Sequence, residues 1–188
     1  PEECEGQSAR AVFQVLHRVE INRRMGQVQL YVQSRERPNW ESLPAGYLAP
    51  DESGATAKEV GSLYSRIREG RVLRFRLRAN PTRKIDTKSA ADGRRRHGRR
   101  VPVRGEEAQV EWLARQAQRC GFALVEATVA LSGSAELSRS HSTGRTFQGV
   151  LYEGHLVVRQ LELFRRALAE GIGPAKAFGF GLLSIASE

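Results

Sequence analysis

The chain has 188 residues, 40% hydrophobic and 27% charged, enough for one large domain or two of about 90 residues with buried cores. No apolar run approaches the ~18 residues of a membrane span. The acidic start PEECEGQSAR is no signal peptide, and Cys4 and Cys120 are too few for a disulfide framework or a zinc site, which fits a cytoplasmic protein with reduced thiols.

A net charge of +9 points toward a polyanion. Because 26 of the 30 basic residues are arginine, a GC-rich genome explains part of that excess, and placement weighs more than amount. Residues 12–20 and 28–34 alternate with period two and are rich in β-branched side chains, so they read as an antiparallel hairpin with Val28, Leu30 and Val32 on one face. Residues 35–56 read as a loop. A helix is expected over 57–69, with Val60, Leu63 and Ile67 on one side and Gly70 ending it.

The next strand, RVLRFRLRA, separates two faces: Leu73, Phe75 and Leu77 point one way, and Arg74, Arg76 and Arg78 the other. The arginines recur at about 6.6 Å, close to nucleotide spacing, and read either as a phosphate-binding stripe or as a solvated outer face. Asn80-Pro81 ends the strand. Residues 82–99 hold almost no large apolar side chain and carry Lys84, Arg94, Arg95 and Arg96, so they read as a basic linker dividing the chain into domains at 1–81 and 100–188.

The second part begins with a short strand at 100–104. A helix over 106–120 follows, with Glu106 and Glu107 at its positive end, Val110, Leu113, Ala117 and Cys120 on its apolar face, and Gly121 after it. A strand at 122–131 and a polar loop lead to 147–158, which reads as strand, Glu153-Gly154 turn, strand. A helix at 160–170 buries Leu161, Phe164 and Leu168, Gly171 ends it, and a strand closes the chain at 181–186. The order β-α-β-β-α-β is that of a ferredoxin-like unit, and the first part, β-β-α-β, is the same unit short of one strand and one helix. The fold class expected is therefore α+β, with tandem ferredoxin-like (RRM-like) domains, the first incomplete.

The residues 171–183, GIGPAKAFGFGLL, place four glycines around Lys176, letting the backbone turn through positive φ and approach an anionic partner. With LRFRLRANPTRK at 73–84, EEAQVEWLARQAQRCGF at 106–122 and GVLYEGHLVV at 149–158, this stretch resembles the CasE family of repeat-processing endoribonucleases from type I-E CRISPR systems. The resemblance implies an enzyme that binds the stem-loop of CRISPR repeat RNA and cuts at its base without metal or other cofactor. In that chemistry the 2′-hydroxyl attacks the adjacent phosphate, leaving a 5′-hydroxyl and a cyclic phosphate, and the product stays bound within the Cascade complex beside its other subunits.

It also implies RNA contact by Gly171, Gly173, Lys176, Phe178, Gly179 and Gly181 in the glycine-rich turn, and by Arg139, His141 and Arg145 in a basic hairpin. Pro174-Ala175 departs from the basic residue and glycine that many relatives carry there. The family's catalytic histidine and tyrosine lie in a helix after its first strand, which PEECEGQSAR does not match, so no catalytic residue is carried over and both are expected upstream of Pro1.

The four histidines, His17, His97, His141 and His155, are scattered and read as structural or surface groups, and with only three Asp a two-metal nuclease site is not expected. Two other readings stay open: a non-catalytic RRM-like RNA-binding module, although LRFRLRA puts arginine where stacking rings belong, and a ribonucleoprotein structural protein suggested by charge alone.

Overall fold

The computed structural model describes residues 9–22, 24, 26–44, 46–47, 55–85, 99–139 and 146–187, with the side chains of 9, 22, 131–139 and 146 left aside. A single helical turn, α1 (Ala9–Val12), precedes the hairpin of β1 (Leu16–Asn22) and β2 (Gln27–Gln33), whose register runs from Leu16 opposite Gln33 to Asn22 opposite Gln27. Val28 and Leu30 share a face, as expected, but that face is open: they are 66% and 58% exposed. The buried face carries Leu16 and Arg18 instead.

The helix expected over 57–69 shrinks to α2 (Gly61–Ser65). Glycine and serine at three of its five positions propagate a helix poorly. The Glu59 carboxylate accepts from the Gly61 and Ser62 amides, and Ile67 is buried just beyond the helix.

The main sheet joins β3 (Val72–Ala79), β6 (Phe122–Arg139), β7 (Thr146–Val158) and β8 (Leu183–Ala186) in the order β6-β7-β3-β8, every pair antiparallel. Two helices, α3 (Glu106–Arg119) and α4 (Leu161–Glu170), alternate with these strands. The class is thus mixed α+β with antiparallel sheets. The connectivity β3-α3-β6-β7-α4-β8 and the spatial order together describe one β-α-β-β-α-β unit, with β3 as its first strand.

This changes three sequence expectations. The arginine strand, given to the first domain by the 1–81 boundary, sits inside the sheet formed by the later strands. Residues 82–99 do not act as a simple linker at their ends: β4 (Thr82–Ile85) pairs with β5 (Arg99–Pro102) in a separate two-stranded sheet, so the short strand expected at 100–104 lies outside the main sheet.

The third change concerns 147–158, which is one continuous strand rather than a hairpin. Gly154 lies mid-strand opposite Phe75 and Ala127. A Cβ there would collide with the Glu126 carbonyl oxygen, and its φ is +153°. The glycine serves close backbone approach, not a turn.

One face of the sheet is the core. Leu73, Phe75, Leu77 and Ala79 of β3 and Val150, Tyr152, Leu156 and Val158 of β7 meet Trp112, Leu113 and Ala117 of α3 and Phe164, Ala167 and Leu168 of α4. Full burial of each large apolar side chain contributes about 2 kcal/mol. The Trp112 and Tyr152 rings stack at 6.4 Å, and Phe122 meets Phe164 edge-on at 5.7 Å. The Tyr152 hydroxyl donates to the Gln109 carbonyl, and burial raises its pKa. The opposite face carries the arginines and the hairpin.

Candidate nucleic-acid interface

Two regions singled out by the sequence converge on the arginine face. On β3 the alternation does place Arg74, Arg76 and Arg78 together, away from the core. Arg76 is not a free cation: its Nη1 lies 2.9 Å from Glu20 Oε2 and its Nε 2.7 Å from Glu153 Oε1. Glu153 arrives by register, opposite Arg76 on β7, and Glu20 by the docking of β1.

Arg18, 3% exposed, completes the network. Its Nε donates to Glu20 at 2.8 Å, its Nη1 to the Leu182 carbonyl at 3.2 Å, and its guanidinium lies 5.3 Å from the Tyr31 ring centroid. Burial lowers its pKa, and the Glu20 carboxylate opposes that shift. Arg78 donates to the Val19 carbonyl at 3.2 Å and lies over Phe180 at 5.5 Å. The cationic stripe is therefore largely an attachment for the hairpin.

The glycine-rich turn is built differently. After α4 the backbone takes positive φ at Gly171, Gly173, Ala175, Gly179 and Gly181, with a short 3₁₀ turn at Lys176–Phe178 between them. The turn is closed by the Ile172 amide donating to the Gly181 carbonyl at 2.9 Å, and tied to β3 by the Gly181 amide donating to the Arg78 carbonyl at 2.8 Å.

Most of its glycines approach the protein's own groups. A Cβ at Gly171 would meet Leu16 and one at Gly173 would meet Trp112, while at Gly181 it would stand 2.8 Å from the Ile172 carbonyl oxygen. Gly179 borders the His17 ring. Between these anchored points the tip presents Lys176, half-buried, and Phe178, 38% exposed.

Burial lowers the pKa of Lys176, with Arg10 acting in the same direction and Glu170 against it. Burial and Arg10 also lower that of His17. Arg10 thus acts on both His17 and Lys176 where α1 and β1 meet the turn. The sequence reads His17 as structural or surface and does not single out Arg10. Their shared environment depends on how the hairpin docks, for which the local pattern holds no signal. Phe147 escapes notice in the same way: it follows the hairpin tip in sequence, yet its ring lies 4.3 Å from that of Phe178.

Of the remaining expected contacts, Lys84 is exposed on β4. Arg139 ends β6 opposite Thr146. Arg94, Arg95, Arg96, His141 and Arg145 lie outside the described residues, as does His97. His155 Nδ1 lies 2.6 Å from Glu126 on the arginine face of the sheet. Among the described residues no three His, Cys, Asp or Glu side chains come together as metal ligands, and no helix is long and apolar enough to cross a membrane.

Over residues 1–187 the sequence matches the family model described as CRISPR associated protein. It is 32% identical over 183 residues to the CRISPR-associated endoribonuclease Cse3 of Thermus thermophilus, an alignment covering 92% of this chain and 79% of that protein. Identity to the CRISPR system Cascade subunit CasE of Escherichia coli strain K12 is 33% over 134 residues, or 70% of this chain and 66% of the relative. The fold is similar to that of Thermus thermophilus Cse3 bound to an RNA representing a pre-cleavage complex, with a TM-score of 0.70 and 30% identity over 92% of this chain and 78% of that one. The extent of these matches shows that the chain belongs to the CRISPR associated protein family.

Proposed function

We propose that this chain is the RNA-holding part of an endoribonuclease that binds the stem-loop of a CRISPR repeat, cuts at its base and keeps the product as a Cascade subunit. The observation that carries the reading is the glycine-rich turn: a rigidly anchored backbone that presents a lysine and an aromatic ring, in a chain that is 32% identical to an endoribonuclease. A relative's RNA-bound structure with the same fold supports the partner, and a relative named as a Cascade subunit supports the assembly.

The tandem ferredoxin-like arrangement belongs to the same proposal. The unit β3-α3-β6-β7-α4-β8 is proposed as one member, with β1, β2 and α2 belonging to the other. The proposed RNA surface comprises the turn, Lys84, the basic residues 94–96 and the tip of the β6–β7 hairpin with Arg139, His141 and Arg145. Arg76 and Arg78 are assigned instead to holding the hairpin.

Cleavage proceeds by attack of a 2′-hydroxyl on the adjacent phosphate. The proton leaves the 2′-oxygen, the bond to the 5′-oxygen breaks, and that oxygen gains a proton, so a base and an acid are required but no metal. By the family resemblance, a histidine and a tyrosine are the proposed source of these groups.

The test is cleavage of the repeat RNA in EDTA by the full-length protein. The reading expects a 5′-hydroxyl product and a cyclic phosphate at undiminished rate. Cleavage that stops on chelation and returns with Mg²⁺ contradicts the metal-independent mechanism. RNA binding without cleavage under any condition favours the non-catalytic RRM-like module.

A further inference from the structure

The β6–β7 hairpin and the glycine-rich turn meet in an aromatic trio that the sequence pattern does not assemble. The Phe147 and Phe178 ring centroids are 4.3 Å apart with planes inclined by 33°, and Phe147 and Phe180 are 6.2 Å apart. The three rings differ in burial. Phe180 is 1% exposed and lies beneath the Arg78 guanidinium, in space that a Cβ on Gly149 would close at 2.9 Å. Phe147 is half-buried. Phe178 is 38% exposed although apolar, at a position fixed by the 3₁₀ turn.

A ring held by a second ring behind it has little rotamer freedom left to lose when another flat group covers it. Lys176, a cation, stands two residues before Phe178. An exposed aromatic ring with a cation close by in the same turn suits a base attached to a phosphate chain, since every nucleobase has a π-face and stacking tolerates any sequence. A base inside an RNA stem has both faces covered by its neighbours, so the occupant is an unpaired nucleotide.

We propose that Phe178, backed by Phe147, is a stacking platform for one unpaired nucleobase of the bound RNA, flanking the repeat stem, with Lys176 on a neighbouring phosphate. This rests on the RNA-binding reading above and adds to it a base-contacting subsite. The competing role is purely architectural, with Phe147 and Phe178 fastening the turn to β7.

The experiment measures binding of the repeat hairpin with its unpaired flanks, and of the same RNA with abasic flanks, by the wild-type chain and by Phe178→Leu and Phe178→Tyr. Leucine keeps apolar packing and loses the ring; tyrosine keeps the ring. The platform requires Phe178→Leu to weaken binding of the flanked RNA about tenfold, Phe178→Tyr to stay within about twofold, and the leucine penalty to vanish on abasic flanks. The wild type alone should lose about tenfold on abasic RNA, a readout independent of any variant's folding. Equal affinity of wild type and Phe178→Leu for the flanked RNA overturns the platform, as does an equal penalty on both RNAs, which marks an architectural role. A wild-type chain that binds neither RNA overturns the RNA-binding reading itself.

Discussion

The arginine strand β3 and the glycine-rich turn are adjacent in space and equally suggestive in sequence, yet they treat charge in opposite ways. On β3, Arg76 sits between the carboxylates of Glu20 and Glu153, two residues supplied by other strands. In the turn, Lys176 is half-buried, with Glu170 favouring its charge and Arg10 opposing it, and burial leaves it less readily protonated than an ordinary lysine. A row of arginines on a strand is therefore weak evidence of a polyanion site until its cross-sheet neighbours are known. One half-buried lysine whose surroundings already disfavour its charged form is a better candidate, because an arriving phosphate offsets that cost.

The sharpest way to break this comparison is to remove the charge that neutralises the strand. Glu20→Gln leaves Arg18, 3% exposed, without its carboxylate and Arg76 with only Glu153. The expected loss is about 2 kcal/mol, since a buried charge deprived of its partner is costly while Glu20 itself keeps some solvent contact. Chemical denaturation measures it. Amide exchange should quicken first in Leu16–Asn22 and Gln27–Gln33, with β3 and β7 little changed. Uniform destabilisation of all strands would show that the network does not specifically hold the hairpin.

A smaller effect sharpens the other side. His17 has its pKa lowered by burial and then by Arg10, so the folded state binds its proton less readily than the unfolded chain, whose histidine titrates near 6.5. Its contribution to stability is complete above pH 6.5 and is lost as pH falls from there through the lowered folded value. Melting temperature followed from pH 7.5 down to pH 5 should fall more in the wild type than in His17→Phe. Parallel curves would show that burial beside Arg10 does not hold the His17 proton off as described.

Much of this was legible in the sequence, for identifiable reasons. Helix 106–120 was readable to within a residue of Glu106–Arg119 because acidic residues, apolar spacing and Gly121 all agree on it. The faces of β3 followed from alternation alone. The strand's partners did not: pairing of Phe75 with Gly154 and Ile185 links residues far apart in the chain, and no local pattern encodes such register.

Gly154 misled because a glycine after a glutamate in a β-rich stretch signals a turn by composition, whereas here it answers a carbonyl on β6. The site was legible in part. The glycine-rich turn with Lys176 stood out from spacing and resemblance. The neutralisation of Arg76, the effect of Arg10 on His17 and the Phe147–Phe178 contact all arise from tertiary docking.

The most direct test compares Lys176→Gln with Arg76→Gln in RNA binding over a range of salt concentrations. If the turn and not the strand meets the phosphates, Lys176→Gln lowers the slope of log affinity against log salt by about one unit, and Arg76→Gln leaves the slope unchanged. The opposite pattern, with Arg76→Gln lowering the slope and Lys176→Gln leaving it unchanged, would contradict the account.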